Sequence, residues 1–290
     1  SIQRRHQKII EEAPSSAVSP ELRERMGQAG IQAVRAINYE NAGTVEFLLD
    51  SSGEFFFLEV NTRLQVEHPV TEEITGIDLV REQIRVAQGY PLSFTQESLE
   101  IDGHAIEARI YAEDPANEFL PATGEVLAWE IPTTPEARYD SGVTSGSKVS
   151  VNFDPMLAKV TTHAPTREEA SLRLARVLER MRIQGVITNR DFLITTLRHP
   201  RFLAGDTTTS FIEEVNPPRE RTLNEAELRN KAIAASLFIQ YRNRSAADVL
   251  QTLPSGFRIT RMPPERNTFV YHDQEILTEY SCRRDGDFNF

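Results

Sequence analysis

The sequence predicts an α+β protein in which strands and helices follow one another in separate blocks. Residues 20–38 place apolar side chains at the spacing of one helix face. Residues 45–60 hold two strand-like runs joined by the turn Asp50-Ser51-Ser52-Gly53. Residues 104–162 contain further short runs of strand type, and an amphipathic helix follows at 166–182. This order of elements is typical of an α+β fold.

The first two strands carry a candidate metal site. They are expected over 45–49 and 55–60. A hairpin with Asp50 opposite Phe55 places Glu46 opposite Glu59. Two carboxylates that face each other across strands repel unless a cation lies between them. The pairing therefore predicts that a cation binds here.

Two helices frame this hairpin. Pro20 suits the first turn of the helix at 20–38. The second helix is expected over 71–89, with Gly89 as its stop. Its apolar face comprises Ile74, Ile77, Val80 and Ile84.

The second half of the chain is β-rich and then helical. The strand candidates are 104–111, 124–131, 136–140 and 156–162. A capping box at 166–169 opens the helix at 166–182, which turns Leu174, Val177, Leu178 and Met181 inward. Later helices are expected at 189–197 and 223–241, and short strands from 257 onward flank a turn at 272–275.

Residues 59–67 alternate in a way that indicates chemistry. In an extended backbone, side chains at every second position point to one side. The residues so aligned are Glu59, Asn61, Arg63, Gln65 and Glu67. Such a row can hold a divalent metal beside an oxyanion, whereas a solvated strand face normally mixes Lys, Ser and Thr.

Composition limits the function classes. The net charge of −11 argues against general nucleic-acid binding, which needs a basic surface, but a local Arg/Lys cluster can still bind an anion. No apolar run approaches the roughly 18 residues of a membrane span. The single cysteine, Cys282, excludes an internal disulfide framework and fits a reducing compartment. A cytoplasmic protein is expected, or one of the mitochondrial matrix in a eukaryote.

Four stretches together resemble one family. The string Glu-Val-Asn-Thr-Arg-Leu-Gln-Val-Glu-His-Pro at 59–69 resembles the active-site strand of biotin carboxylase, an ATP-grasp ligase. The segments at 1–14, 103–115 and 119–124 resemble the same family in the same order. The resemblance covers residues 1 to about 215.

The resemblance implies a domain order. Residues 1–91 correspond to the C-terminal part of the ATP-grasp domain, and 92–215 to the biotin carboxylase C-terminal domain. Residues 216–290 resemble a linker and a partial subunit-interaction region of acyl-CoA carboxylase α subunits. The family's N-terminal domain and its glycine-rich lid have no counterpart among these 290 residues, so the chain looks like a fragment and is expected to show no biotin-dependent ATPase activity alone.

The resemblance also implies site residues. The metal ligands are Glu46, Glu59 and Asn61. The ATP contacts are Gln3, His6, Gln7, Leu48 and Leu58, together with Glu46 and Glu59. Bicarbonate is held by Lys8, Arg63, Gln65, Val66 and Glu67, and biotin by Arg138 and Asp154. The catalytic residues are Arg63, Glu67 as general base, and Arg138, which stabilises the enolate-like oxygen of biotin. The adjacent guanidinium of Arg63 is expected to keep Glu67 ionised, which suits a base.

The implied reaction is ATP-dependent carboxylation of biotin. Bicarbonate attacks ATP to give carboxyphosphate, which then delivers CO₂ to biotin. The cofactors are ATP, Mg²⁺ or Mn²⁺, and biotin carried by another domain, because the Met-Lys-Met attachment sequence is absent. The implied partners are a biotin carboxyl carrier domain and a carboxyltransferase subunit, in a homo-oligomeric parent that binds neither nucleic acid nor membrane.

Two other functions stay open. One is a non-catalytic assembly fragment that keeps its partner-binding surfaces. The other is a different ATP-grasp ligase, such as half of a carbamoyl-phosphate synthetase. If biotin carboxylation is correct, Arg63, Glu67 and Arg138 are expected to line one cavity, with the metal ligands at its adjoining end.

Overall fold

The structure is a computed structural model that describes residues 1–220, 222–249, 263–271, 274–283 and 287–290. The chain divides into two compact units, Ser1–Arg221 and Thr222–Phe290. Each unit is described by itself. The domain boundaries inferred above at 91 and 215 stay predictions, although strands from both sides of residue 91 share one sheet in the first unit.

The described helices are α1 Pro20–Ala36, α2 His68–Thr75, α3 Leu79–Ala87, α4 Arg167–Arg180, α5 Arg190–Leu197, α6 Pro200–Leu203, α7 Phe211–Val215 and α8 Glu225–Ser245. The strands of the first unit are β1 Ile2–Arg4, β2 Gln7–Ala13, β3 Thr44–Leu49, β4 Phe55–Asn61, β5 His104–Tyr111, β6 Glu113–Asp114, β7 Leu120–Pro121, β8 Gly124–Glu125, β9 Ala128–Glu130, β10 Arg138–Ser141, β11 Lys148–Val149, β12 Met156–Ala164 and β13 Arg182–Gln184. Those of the second unit are β14 Glu265–Tyr271, β15 Gln274–Cys282 and β16 Phe288–Asn289.

A five-stranded antiparallel sheet organises the first unit. Its strand order is β1-β2-β5-β12-β10, so β5 and β12 lie inside and β10 lies at an edge. Directly paired residues in antiparallel strands point to the same face, and neighbours along a strand point to opposite faces. The register therefore sorts every side chain of the sheet onto one of two faces.

One face is apolar and lies under α4. It presents Ile106, Ala108 and Ile110 from β5 and Val160 from β12, all of them fully buried. Leu174, Val177 and Leu178 of α4 belong to the same core, as the sequence predicts. The Thr166 side chain accepts a hydrogen bond from the Glu169 N–H and caps the helix. We call this side of the sheet the apolar face.

The opposite face carries charges. Pairing of Glu11 with Glu107, Lys159 with Arg109, and Asp140 with Lys159 aligns ionisable side chains across four strands. Helix α2 packs on this side, where Val70 and Ile74 contact Ala105. We call this side of the sheet the charged face.

The β3–β4 hairpin confirms one register prediction and corrects another. Glu46 pairs with Glu59 as predicted, but Leu49, and not Asp50, lies opposite Phe55. The register shifts between Glu46 and Phe47, as in a β-bulge, and this shift restores the carboxylate pairing.

The helix predicted at 71–89 is two helices. Helix α2 ends at Gly76, which takes φ of 71°, and Asp78 caps the start of α3 by accepting from the Arg81 N–H. The predicted apolar face is therefore wrong: Ile74 is buried, but Val80 and Ile84 are exposed. A single helix would need Gly76 in the right-handed region, whereas glycine adopts the left-handed one at no steric cost.

The remaining element predictions are confirmed within one to a few residues, except that the strand expected at 124–131 is the two short strands β8 and β9. In the second unit, α8 begins at a capping box formed by Asn224 and Glu227, and β14 pairs with β15. Gln274 and Glu275, predicted in the turn at 272–275, belong to β15; residues 257–262 and 272–273 lie outside the described residues. Among the described helices, none is long and apolar enough to cross a membrane.

Candidate active site

A cavity of about 630 Å³ lies between the β1–β2 hairpin, the β3–β4 hairpin and the charged face of the sheet. It collects all the residues predicted for metal, ATP and bicarbonate, together with Asp154. The lining residues that the sequence did not single out are Arg109, Tyr111, Met156 and Thr209. The structure therefore brings together side chains that lie up to about 200 positions apart.

The turn between β1 and β2 presents the start of the chain to this cavity. Arg4 pairs with Gln7, which leaves Arg5 and His6 as a two-residue loop. Both have positive φ, of 49° and 63°. Positive φ at both loop positions matches the twist of an antiparallel hairpin but costs energy for residues other than glycine. The strained turn holds His6 at the cavity wall.

Glu46 is the centre of a hydrogen-bond cluster. Its Oε1 atom accepts from Lys8 Nζ at 3.0 Å, Asn61 Nδ2 at 2.9 Å and Gln65 Nε2 at 2.7 Å. The Asn61 amide also donates to Glu59 Oε1 at 3.1 Å, so it bridges the two facing carboxylates. In this structure the Lys8 ammonium pairs with Glu46, and the Asn61 amide donates to both carboxylates; the cation predicted between Glu46 and Glu59 stays a prediction.

These side chains fit a hard divalent cation. Two carboxylates and an amide oxygen are the ligand types that Mg²⁺ takes, and Mg²⁺ normally completes its shell with water and substrate phosphates. Among the described residues, no group of three or more acidic, histidine or cysteine side chains could hold a metal by itself. Glu46, Glu59 and Asn61 are therefore suited to a metal that a bound nucleotide shares.

Glu67 is held between two cations. Its Oε1 atom accepts from Lys8 Nζ at 2.8 Å and its Oε2 atom from Arg109 Nη2 at 2.7 Å. Burial raises the pKa of Glu67, but the hydrogen bond from Lys8 and the charge of Arg109 outweigh burial and lower the pKa below its ordinary value. For Lys8, burial lowers the pKa, but the bond to Glu67 leaves it raised overall. Glu67 is an ionised carboxylate and Lys8 is an ammonium.

The expected partner of Glu67 is corrected here. The sequence assigned Arg63 to keep Glu67 ionised, but Arg63 is exposed and donates to Asn61 Oδ1 at 3.2 Å. The reason is that β4 ends at Asn61, the last residue that pairs with β3. Beyond it the chain turns, so the predicted extended row from Glu59 to Glu67 is wrong even though its five side chains line one cavity.

Arg138 lines a different cavity. That cavity, of about 980 Å³, is formed mainly by α2 and α3 and does not include Arg63 or Glu67. Arg138 Nη1 donates to Glu72 Oε2 at 2.5 Å, and its Nε to Asp140 Oδ2 at 3.1 Å. The prediction that Arg138 shares a cavity with Arg63 and Glu67 is therefore wrong.

Arg138 is nevertheless on the same side of the sheet as Glu67. Its partner Glu72 lies on α2, five residues after Glu67, and a helix rises about 1.5 Å per residue. Lys159 lies between the two sets of residues: its Nζ donates to the carbonyl of Val66, beside Glu67, at 2.6 Å and lies 3.6 Å from Oδ2 of Asp140, which also accepts from Arg138. Asp154 lines the first cavity and not that of Arg138.

Sequence reasoning missed Arg109 and Lys159 as residues of the site. Every residue of β5 is buried, and yet it contains Glu107 and Arg109 two positions apart. Charged residues at alternate positions of a fully buried strand are rarely structural, because buried charges need partners. The alternation of Glu107 and Arg109 with apolar residues is visible in the sequence at 103–115, and it could have indicated Arg109 as a residue of the site.

Two family models match this chain. The family model described as "Biotin carboxylase C-terminal domain" matches residues 107–214. The model described as "Carbamoyl-phosphate synthase L chain, ATP binding domain" matches residues 1–95. The first of these matches separates the chain from carbamoyl-phosphate synthetases, since it covers the residues that include Arg109 and Arg138.

The chain belongs to the biotin carboxylase family. It is 49% identical over 214 residues to biotin carboxylase 2 of Bacillus subtilis, across 74% of this chain and 48% of the relative. It is 40% identical over 301 residues to the mitochondrial methylcrotonoyl-CoA carboxylase subunit alpha of Rattus norvegicus, across 100% of this chain and 42% of the relative.

A solved structure shows the same fold. The biotin carboxylase domain dimer of Hydrogenobacter thermophilus 2-oxoglutarate carboxylase, in complex with MgADP, ADP and bicarbonate, matches with a TM-score of 0.75 at 40% identity. The match covers 77% of this chain and 49% of that one. The biotin carboxylase relatives named here are thus spanned by this chain over about half their length or less.

Proposed function

We propose that this chain provides the bicarbonate site and part of the nucleotide and metal site for ATP-dependent carboxylation of biotin. The observation that carries the proposal is the Glu67 carboxylate, fixed between Lys8 and Arg109 in the cavity that also holds the facing Glu46 and Glu59. An ionised carboxylate beside cations is suited to bind a small oxyanion and to accept its proton.

The first stage uses bicarbonate and ATP. Arg63 presents a planar fork at the cavity, which matches a carboxylate-like anion in two parallel hydrogen bonds. Lys8 adds a second positive charge next to Glu67. Glu67 takes the bicarbonate proton, and the resulting anion attacks the γ-phosphate of ATP to form carboxyphosphate and ADP. Catalysis of such a transfer depends on position and charge neutralisation.

The nucleotide lies along the rest of the cavity. Gln3, His6 and Gln7 reach it from the β1–β2 hairpin, and Leu48 and Leu58 offer apolar contacts to the adenine. Glu46, Glu59 and Asn61 would hold Mg²⁺ or Mn²⁺, which supplies charge neutralisation of the phosphates when bound. The ligand atom of Asn61 would be its Oδ1, which accepts from Arg63 Nη2 in this structure.

The second stage uses the neighbouring cavity. Carboxyphosphate releases CO₂, its phosphate takes the biotin N1′ proton, and the biotin enolate captures the CO₂. Arg138 would stabilise the enolate oxygen, since a fixed cation placed where charge develops is a large catalytic term. Its bonds to Glu72 and Asp140 hold the guanidinium in place and keep it charged. Asp154 would take part in biotin binding from the first cavity.

The parent protein would act within an acyl-CoA carboxylase. Biotin would arrive on a carboxyl carrier domain, and a carboxyltransferase subunit would choose the acyl-CoA. The naming of the rat relative as an alpha subunit supports this context, and the dimer named for the Hydrogenobacter domain supports a homo-oligomer. We propose a cytoplasmic location, or the mitochondrial matrix if the source is a eukaryote.

The metal role is tested by Glu59→Gln in the full-length protein. The Mg²⁺ concentration that gives half-maximal ATP cleavage should rise on the order of tenfold or more, since even outer-shell partners of metal ligands carry effects of that size. Glu54→Gln is the matched control, because Glu54 is an exposed carboxylate at the opposite end of the same hairpin. Identical Mg²⁺ titrations for Glu59→Gln and wild type would exclude the ligand role.

Two measurements distinguish the other functions. A different ATP-grasp ligase would cleave ATP, as the full-length protein, with no response to free biotin. A non-catalytic assembly fragment would show no ATP turnover as the isolated chain, whereas a self-sufficient enzyme would. The Arg138 and Glu67 geometry favours biotin carboxylation over both.

A further inference from the structure

Arg109 is shared between Glu67 and a buried carboxylate behind it. Its Nη2 atom lies 2.7 Å from Glu67 Oε2 and 3.7 Å from Glu11 Oε1. Its Nε atom lies 3.7 Å from Glu107 Oε1. Only the contact to Glu67 is a hydrogen bond, so the guanidinium is turned toward the cavity and away from the two other carboxylates.

Glu11 and Glu107 form a pair with no obvious structural purpose. They are direct cross-strand neighbours on the charged face, and they are 9% and 0% exposed. Among the residues that the structure describes, Glu11 Oε1, Glu107 Oε1 and Arg109 Nε are buried without a hydrogen-bond partner. Buried polar atoms are nearly always bonded, and exceptions call for an explanation.

A neighbouring carboxylate shows what a purely structural role requires. Glu12, next to Glu11 but on the apolar face, bonds to Arg167 through both oxygens and to His104 Nε2 at 2.8 Å. Burial raises the pKa of Glu12, but these bonds outweigh it and lower the pKa. Glu11 is about as buried as Glu12 and Glu107 is fully buried, yet neither accepts a hydrogen bond from a charged side chain; Glu107 accepts from the Thr161 hydroxyl at 3.4 Å.

As a consequence, the Glu11–Glu107 pair binds and releases a proton near neutral pH. Burial raises the pKa of Glu107 to about 8 and that of Glu11 to about 7, and the negative charge of Glu67 adds to both shifts. Like charges on adjacent strands make the two groups titrate as a unit. The charged or titratable side chains that face this pair are Arg109, Lys159, Lys8 and Glu67, together with His68 and Glu72 of α2, which lie 4.0 Å apart.

We propose that Arg109 and the carboxyl pair Glu11–Glu107 are positioning residues that hold Glu67 in its reactive orientation, with the pair competing for the Arg109 guanidinium whenever it loses its proton. The proposal rests on the proposed role of Glu67 as the base for bicarbonate. While the pair is protonated, the Arg109 guanidinium stays hydrogen-bonded to Glu67. When the pair releases its proton to solvent, one or two new anions lie against the same guanidinium and draw it away from Glu67.

The protonation of the Glu11–Glu107 pair sets how the rate of ATP cleavage depends on pH. Bicarbonate-dependent ATP cleavage should be highest while the pair is protonated and fall as pH rises through about 7 to about 8, because Glu67 then loses its orientation. The fall should appear in kcat and leave KM for ATP unchanged, since the Arg109 guanidinium bonds to Glu67, the base for bicarbonate, and not to the residues assigned to the nucleotide.

The experiment uses the double variant Glu11→Gln/Glu107→Gln in the full-length protein. Two amides keep the shape of the protonated pair and cannot ionise, so the alkaline fall in kcat should be lost. Arg109→Lys, which cannot offer two separate nitrogens to the two sides, should lower kcat about tenfold or more near neutral pH, again without change in KM for ATP.

Glu12→Gln is the matched control, because it removes an equally buried carboxylate from the adjacent position on the opposite face. Its pH profile should follow the wild type even if its thermal stability falls. A wild type that cleaves ATP with bicarbonate but shows no fall over this range would overturn the proposal. So would a fall that persists in the double variant, or a wild-type kcat for Arg109→Lys. A wild type with no bicarbonate-dependent cleavage would instead contradict the proposed function.

Discussion

The two faces of the five-stranded sheet are built from the same strands but differ in role. On the apolar face, Ile106, Ala108 and Ile110 pack under α4, and the buried Glu12 is fully paired with Arg167 and His104. On the charged face, the intervening Glu107 and Arg109 have buried atoms without hydrogen bonds. The difference teaches that the large apolar core lies on one side of the sheet, whereas on the other side most of the buried strand residues are charged and only partly paired.

The strongest test of this division is Glu67→Gln on the charged side. We expect the rate of bicarbonate-dependent ATP cleavage to fall by roughly 10²–10⁴, the usual contribution of a general base. Thermal unfolding should change much less than for the apolar-face variant below, because Glu67 is at the cavity wall. A variant that keeps near wild-type cleavage would show that another group takes the proton.

The counterpart on the apolar side is Leu174→Ala. Leu174 is fully buried between α4 and the sheet, so its truncation should cost about 2–5 kcal/mol of stability through lost burial and a residual cavity. The folded fraction should retain wild-type kcat, measured per active site. A loss of kcat as large as that of Glu67→Gln in fully folded protein would break the comparison between the faces.

Arg138→Ala separates the two stages of the reaction proposed for the charged face. Its guanidinium lies in the second cavity, so the variant should slow biotin carboxylation at least about tenfold more than bicarbonate-dependent ATP cleavage, a difference of about 1.4 kcal/mol. Both rates would be measured on the same preparation. Equal slowing of the two reactions would mean that the cavities act as one site.

The smallest effect concerns Glu107 and stability. Burial raises its pKa to about 8 in the folded protein, against about 4.3 when unfolded, so the folded state holds this proton more tightly. The stabilisation from that proton is complete at acidic pH and is lost as pH rises toward the folded pKa. Each unit of the shift corresponds to about 1.4 kcal/mol at most, and nearby Arg109 and Lys159 reduce the cost of ionisation.

Glu107→Gln does not titrate and should escape this loss. The melting temperature of the variant relative to wild type should therefore be higher at about pH 8.5 than at about pH 5.5. Glu12→Gln should destabilise at both pH values, since the Glu12 carboxylate is ionised and paired throughout. A pH-independent difference for Glu107→Gln would show that Glu107 stays ionised in the fold.

Local patterns were enough for most elements and for the metal-type pairing. The hairpin prediction placed Glu46 against Glu59 because turn composition and strand alternation are local properties. It placed the turn one residue off, because a bulge has no reliable sequence signal. The break between α2 and α3 did have a sequence signal, since Gly76 is a helix stop and Asp78 an N-cap. The apolar spacing that continues from Ile74 to Ile84 favoured a single helix instead.

The amino-acid sequence alone was sufficient for the family, the α+β elements and nearly all residues of the first cavity, since these reside in contiguous strings such as 59–69. It could not say which cation meets which carboxylate. Lys8, Glu67 and Arg109 lie on three elements, and their contacts depend on the register of β5 with its neighbours and on the seating of α2. The same holds for Arg138, which its bond to Glu72 places in the second cavity. Ion pairs form only between charges a few ångströms apart, and these side chains come that close only in the folded chain. Tertiary packing therefore decided which cation pairs with which carboxylate.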